Sequence, residues 1–163
     1  MKIDKRSSVY ISAGLTAISM LMLIAAMFYI PLLCDTMVAR HFEGGEAIRG
    51  GQIIDSISPA AEMLLKAMLY VLDVLGIACC ACLSGLIVKI MRAEVFTDMS
   101  VFFLRVISWL CIFASLGFSF IGLYFTVSFF VAFAAAFFGI VIRVVKNVME
   151  EATSIKNEND FTV

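Results

Sequence analysis

The chain has 163 residues, of which 63% are hydrophobic and only 15% are charged, and its formal net charge is -1. A globular domain is roughly 45–50% apolar and about 25% charged, so this chain lacks the polar residues needed to enclose its apolar ones in water. The composition excludes a secreted disulfide scaffold, a disordered regulator and a nucleic-acid binder that acts by bulk charge. With a mean hydropathy of +1.04, we expect an integral membrane protein.

The first predicted span is 9–33, within the uncharged stretch Ser7–Cys34. This stretch exceeds the roughly 20 residues that one transmembrane helix needs, and it is too long for the apolar region of a cleaved signal peptide. The residues around Met37–Ala39 also form a poor cleavage site. The polar segment that follows, 34–58, contains two Gly-Gly pairs and is predicted to be a flexible outer loop.

The second predicted span, 62–91, follows Ser58 and Pro59, a pair that is typical of a helix start. A helix from Pro59 to Met91 would be roughly 50 Å long, and the hydrocarbon core of a bilayer is only ~30 Å thick. We therefore expect its first turns to project from the outer surface. There Glu62 and Lys66 can pair at a spacing of four residues.

An intramembrane polar face is predicted on this second span at Lys66, Tyr70 and Asp73, which recur at i, i+4 and i+7. Asp73 is the only acid in the apolar part of any predicted span, and an ionisable group at membrane depth suggests a function. A structural role is the stronger alternative. Water, Lys66 or the Tyr70 hydroxyl can satisfy a carboxyl near the outer interface, and a relay would need a second ionisable partner deep in another span.

Three cysteines in the second span, Cys79, Cys80 and Cys82, suggest a thiol cluster at first sight. Neighbouring positions on a helix diverge by about 100°, so these thiols cannot converge on one tetrahedral metal ion. Small residues instead repeat every four positions at Gly76, Cys80 and Ser84, a spacing that favours close helix packing. No phosphate loop, zinc-protease helix or nucleophile elbow occurs. We therefore expect no metal, no cofactor and no catalytic residues.

The stretch Val106–Ile142 contains 37 residues without a charge. As one helix it would be roughly 56 Å long, nearly twice the thickness that a bilayer covers. We predict two spans, 101–123 and 127–147, joined by a tight turn near Gly122–Ser128, with a total of three spans as the alternative. The predicted fold class is all-α, an integral membrane four-helix bundle that forms a single domain over 1–163.

The orientation follows from the distribution of the 12 lysines and arginines. Three lie on the side predicted to be outside: Arg40, Arg49 and Lys66. Nine lie on the side of the two termini: Lys2, Lys5, Arg6, Lys89, Arg92, Arg105, Arg143, Lys146 and Lys156. Because cytoplasmic loops are enriched in basic residues, we expect both termini in the cytoplasm.

The cytoplasmic parts are an inner loop, 92–100, and a helical tail, 148–163. An apolar stripe continues from the last span into this tail at Val141, Val144, Val145, Val148, Ala152 and Ile155. The stripe should pack on Val95 and Phe96 or lie on the lipid surface, and the alternative is a cytoplasmic protein partner. The candidate partner-binding residues are Phe96, Glu150, Glu151, Ile155 and Phe161.

The inner loop begins AEVFT and the chain ends EEATSIKNENDFTV. Both segments resemble a domain-of-unknown-function family of small four-span bacterial membrane proteins. The similarity extends over the whole chain in length and layout, and it is specific at the loop and the tail. It implies a bacterial inner-membrane protein whose gene often neighbours one for a small helix-turn-helix regulator, and it carries over no catalytic residue. This chain departs from some relatives in its very short loop between the last two spans, which argues against an outer binding site there.

Two functions from different classes follow. The first is a non-enzymatic regulatory protein that binds or sequesters a small helix-turn-helix regulator through its inner loop and tail, without touching nucleic acid itself. The alternative is a small-molecule or peptide-responsive accessory in immunity or transport, which would use the polar face of Lys66, Tyr70 and Asp73. A homo-oligomer is compatible with either function.

Overall fold

A computed structural model describes residues 5–42, 48–49, 52–53, 58–92 and 95–161. Four long helices make up nearly all of this part of the chain, and each is long and apolar enough to cross a membrane. The all-helical fold with four helices that could span a bilayer is thereby confirmed. The helices are α1 (Lys5–Phe42), α2 (Pro59–Met91), α3 (Asp98–Gly122) and α4 (Val127–Phe161). Two short strands, β1 (Ile48–Arg49) and β2 (Gln52–Ile53), pair antiparallel between α1 and α2.

Local capping sets the start of α2. The Ser58 hydroxyl accepts a hydrogen bond from the Ala61 amide at 3.3 Å, and Pro59 occupies the first helical position of α2.

The turn between α3 and α4 occupies 123–126, within the interval in which a turn was predicted. One of its hydrogen bonds runs from the Phe125 amide to the Ile121 carbonyl at 2.9 Å. This tight connection makes α3 and α4 an antiparallel hairpin.

Helix α1 continues to Phe42, so the outer loop predicted to begin at residue 34 begins later. The reason is tertiary contact, because Cys34 is fully buried in a cluster with Leu65 of α2, and Val38 packs against it. Helix-breaking glycines begin only at Gly44, beyond these contacts. At the other end of the chain, the predicted tail is an uninterrupted continuation of α4 to Phe161.

The helices form an open row. In the described part of the chain α1 packs against α2, α2 against α3 and α3 against α4, and the backbones of α1 and α4 do not meet. The predicted four-helix bundle is thus an open one. The helices have two ends along their long axes. After the predicted orientation, we call the end near Lys66 the outer end and the end near Arg105 the inner end.

Small residues let neighbouring helices of the row approach closely, as their spacing predicts. A β-carbon built on Gly76 would lie 3.3 Å from Leu23 of α1, and one on Gly85 would lie 2.9 Å from the ring of Phe103 on α3. Two faces of α2 therefore use glycine to seat a large side chain from each neighbour.

The most extensive helix contact is a tight seam that joins α3 to α4. A β-carbon on Gly139 would lie 3.2 Å from Cys111 Cβ, from Ile112 Cγ1 and from the Ser108 carbonyl oxygen. The buried Ser108 hydroxyl also donates a hydrogen bond to the Gly139 carbonyl at 2.9 Å. Glycine is needed here because the opposing atoms include backbone, which cannot move aside as a flexible side chain can.

Replacing Gly139 with Leu should therefore separate α3 from α4. We expect a loss of about 1–3 kcal/mol of stability, typical of overpacking. Thermal unfolding in detergent measures this loss. It is followed with a dye that reacts with cysteines as unfolding exposes them. Gly14→Leu is the matched control, since nothing lies within 4 Å of a β-carbon at Gly14. Equal unfolding temperatures for the two variants would contradict the tight seam.

Candidate functional site

The outer end holds a charge network that links α1 to α2. Lys66 Nζ lies 2.8 Å from Asp35 Oδ1 and 2.8 Å from Glu62 Oε1. The pair with Glu62 is the predicted one. Asp35 was not anticipated, because it lies in a segment predicted to be a loop, whereas the helical extension of α1 brings it beside Lys66. The ammonium group thus turns towards two carboxylates at the outer surface.

Asp73 lies seven residues further along α2, about 10 Å below Lys66 at the helical rise. Its side chain is buried, with 8% of the residue exposed, and its Oδ2 atom has no hydrogen-bond partner. Tyr70 lies between them on the helix and is half-buried. The two charged members of the predicted face are therefore separated: Lys66 belongs to the surface network, and Asp73 is buried with Oδ2 lacking a hydrogen-bond partner.

An unpartnered buried carboxyl is costly, since an unsatisfied polar group loses its interaction with water without replacement. Such a group can accept a hydrogen bond from a solute or pair with a cation. Within the described residues no group of three or more His, Cys, Asp or Glu is placed to hold a metal ion, and all five cysteines are free thiols.

The inner end is built by the tail of α4 against the first turns of α3. Arg105 donates to Glu150 Oε1 at 3.0 Å, and Lys146 pairs with the other oxygen of the same carboxylate. One turn further on, Thr153 is buried and its hydroxyl donates to the Met149 carbonyl at 2.8 Å. The first part of the tail is therefore held on α3 by one ion pair, Arg105 with Glu150, and by the burial of Thr153.

Glu150 lies beyond the predicted span 127–147. The pKa of its carboxyl is lowered from the ordinary value, first because Lys146 donates a hydrogen bond to it, with Arg105 adding to the effect. The carboxylate is therefore ionised at neutral pH. This partner-binding candidate is consequently engaged within the chain itself.

The tail packs on α3 through a different face from the predicted apolar stripe. Val148 is 65% exposed and Ile155 is 52% exposed, whereas Met149 and Thr153, on the other side of the helix, face the protein. Packing of the stripe on Phe96 is not seen, as Phe96 is itself 45% exposed. The reason is that Gly139 fixes the rotation of α4, which turns the small and polar side towards α3.

The remaining partner-binding candidates divide in the same way. Glu151 is exposed on the tail, beside the uncovered stripe. Phe161 is the last residue of α4, and its side chain lies outside the described residues. A groove of about 540 Å³, which the sequence did not predict, separates the tail from the start of α3. Its lining is Asp98, Met99, Val101, Phe102, Arg105, Glu150, Thr153 and Ser154.

No protein-family model, no curated protein and no solved structure matches this chain.

Replacing Asp73 with Leu tests whether the buried carboxyl is structural. We expect the variant to be more stable by about 1–3 kcal/mol, because an unsatisfied buried polar group is exchanged for an apolar one. Unfolding in detergent measures it. Asp35→Leu is the control, since it removes a paired carboxylate and should bring no gain. A less stable Asp73→Leu protein would show that the carboxyl holds the fold together.

Proposed function

We propose that the chain is a non-enzymatic, multi-pass protein of the bacterial inner membrane that binds and sequesters a small helix-turn-helix regulator at the cytoplasmic end of α4. Nine of the 12 basic residues lie on the side of the two termini, and this excess supports the orientation. The regulator as partner is what the family resemblance of the loop and tail implies. The uncovered stripe on a firmly held tail is the observation that carries the proposal.

The position of the stripe argues for a protein partner. Thr153 and Ser154 line the groove beside Asp98 and Met99, the first residues of α3. Ile155 therefore lies level with, or beyond, the start of α3, outside the predicted third span. Lipid tails account for exposed apolar side chains within a span, and they do not account for one at this level.

The spacing of the exposed residues matches a known mode of recognition. Val148, Ala152 and Ile155 fall at i, i+4 and i+7, the positions by which one apolar helix face anchors in a groove of a partner, and Glu151 borders this face. Glu150 and Thr153 hold the opposite face of this helix on α3. The partner therefore meets a helix that is already ordered, which lowers the entropic cost of binding.

Charge favours a basic partner. Beyond Glu150, which is paired with Arg105 and Lys146, residues 151–163 contain three acids and a single lysine: Glu151, Glu158, Asp160 and Lys156. DNA-binding domains carry basic surfaces that neutralise phosphates, and an acidic tail attracts such a surface. A regulator bound through its basic face would be withheld from DNA, which is what sequestration requires.

The test is co-purification from detergent with the helix-turn-helix regulator encoded beside the gene. Ile155→Asp should abolish recovery of the regulator, because a charge replaces a central apolar anchor. Ser154→Asp is the matched control, with the same new charge one residue away on a different face, and should retain it. If Ile155→Asp, or a chain truncated at Val145, recovers as much regulator as Ser154→Asp does, the tail has no part in binding the regulator.

The buried carboxyl of Asp73 favours a second candidate function, that of a small-molecule or peptide-responsive accessory in immunity or transport. An unpartnered carboxyl inside a span can receive a hydrogen-bond donor or a cation that enters from the outer end. Among the described helices α1 contacts α2 alone, so one helix rather than a closed bundle borders α2 on that side.

Asp73→Asn removes the acid at nearly constant volume. If this function holds, we expect altered resistance to cationic compounds, or altered uptake of them, at unchanged abundance in the membrane. Asp35→Asn, which changes an acid in the surface network, should leave the phenotype as it is. A lower abundance of Asp73→Asn as the sole effect would assign the carboxyl to structure.

A further inference from the structure

A second, smaller cavity lies at the inner end of the seam between α3 and α4, with a volume of about 80 Å³. It is separate from the tail stripe and has no part in the proposed binding of a regulator. Its size suits a single phosphate group rather than a nucleotide. Five side chains line it: Arg105, Ser108 and Trp109 of α3, and Arg143 and Lys146 of α4.

The charges around this cavity do not cancel. Three of the lining side chains are cations, and the only carboxylate paired with them in the described part of the chain is Glu150, which serves both Arg105 and Lys146. Arg143 forms no ion pair within the described residues. Its guanidinium lies 5.1 Å from the centre of the Trp109 ring, a cation–π contact. Two positive charges are thus left over, and Arg143 retains its hydrogen-bond donors.

Polar contacts hold these groups in place. The Ser108 hydroxyl donates to the Gly139 carbonyl, which fixes the floor of the cavity in the tight seam. The Lys146 side chain is only 14% exposed, so its charge faces the protein. Arg105 uses one nitrogen in its pair with Glu150, and a guanidinium has five N–H donors in all. The cavity therefore combines fixed positive charge with free donors, as an anion site requires.

Sequence position sets the depth of the cavity in the membrane. Arg105 and Arg143 flank the uncharged stretch Val106–Ile142, so both arginines mark the same boundary of the hydrocarbon core. Trp109, the single tryptophan of the chain, is partly exposed one turn inside that boundary. Tryptophan favours the level of the lipid headgroups, and basic pockets between spans on the cytoplasmic side bind anionic headgroups.

We propose that this cavity binds the phosphate of an anionic phospholipid headgroup, held by the guanidinium groups of Arg143 and Arg105. Trp109 would border the same lipid where its acyl chains begin. A phosphodiester fits the free donors of the two arginines, because planar guanidinium groups can give two parallel hydrogen bonds to one phosphate. The negative charge offsets the local excess of positive charge.

The single tryptophan provides a direct test. The full chain is reconstituted in vesicles of zwitterionic lipid that contain a minor fraction of either brominated phosphatidylglycerol or brominated phosphatidylcholine. Bromine quenches tryptophan fluorescence on contact, so we expect the anionic lipid to quench Trp109 more strongly at equal mole fraction. The ratio of the two quenching constants corrects for any change in the fluorescence of the protein itself.

Arg143→Gln should lower this preference about fivefold, the value for one basic residue at an anionic surface. Arg92→Gln removes a cation from the same predicted face but away from the cavity, and should keep the preference. Should Arg143→Gln fail to fold, Arg143→Lys keeps the charge without the forked geometry and should show a smaller, intermediate loss.

Three results would overturn the assignment. The first is equal quenching of the wild-type protein by both brominated lipids. The second is the same preference in Arg143→Gln as in Arg92→Gln. The third is loss of the preference when inorganic phosphate is added in excess at constant ionic strength, which would identify the occupant as a free anion instead of a lipid headgroup.

Discussion

The contact between Gly139 and the backbone of Ser108 fixes the geometry of the inner end. It sets both the distance between α3 and α4 and their register, because the hydrogen bond from Ser108 to the Gly139 carbonyl allows little sliding. From that register it follows that Arg105 meets Glu150 and that Thr153 lies beside the start of α3. The anion cavity and the orientation of the tail both depend on this one seam.

The two ends of the row use charge differently. At the outer end Lys66 pairs with both Asp35 and Glu62, which ties α1 to α2 and leaves one negative charge over. At the inner end three cations share one carboxylate, and an excess of charge remains. Binding of an external anion therefore belongs at the inner end. The outer half contributes a group of another kind, a buried carboxyl at Asp73 that lacks a partner.

The sequence predicted those features that depend on composition along the chain. Charges at Arg105 and Arg143 delimit an uncharged stretch too long for one helix, which is why the α3–α4 hairpin could be inferred. The partners of those charges could not be inferred in the same way. Arg105 and Glu150 are 45 residues apart, and no periodicity links positions on two different helices. The pairing of Asp35 could not be predicted for a related reason, since only the packing of this segment against α2 shows that α1 continues through it.

The apolar stripe of α4 was recognised correctly as a pattern, but its direction could not be read from periodicity. In water, an apolar stripe turns towards the protein. In lipid the preference is weak, and small residues decide the packing face, so Gly139 turns the polar side of α4 to α3 and the stripe away from it. This arrangement is stable as long as lipid surrounds the helix. The stripe continues beyond the start of α3, where Ile155 remains uncovered. At that level surrounding lipid no longer explains why an apolar side chain is exposed. An apolar side chain at that level gains free energy by leaving water for another apolar surface, which is why we propose a partner for the tail rather than for any span.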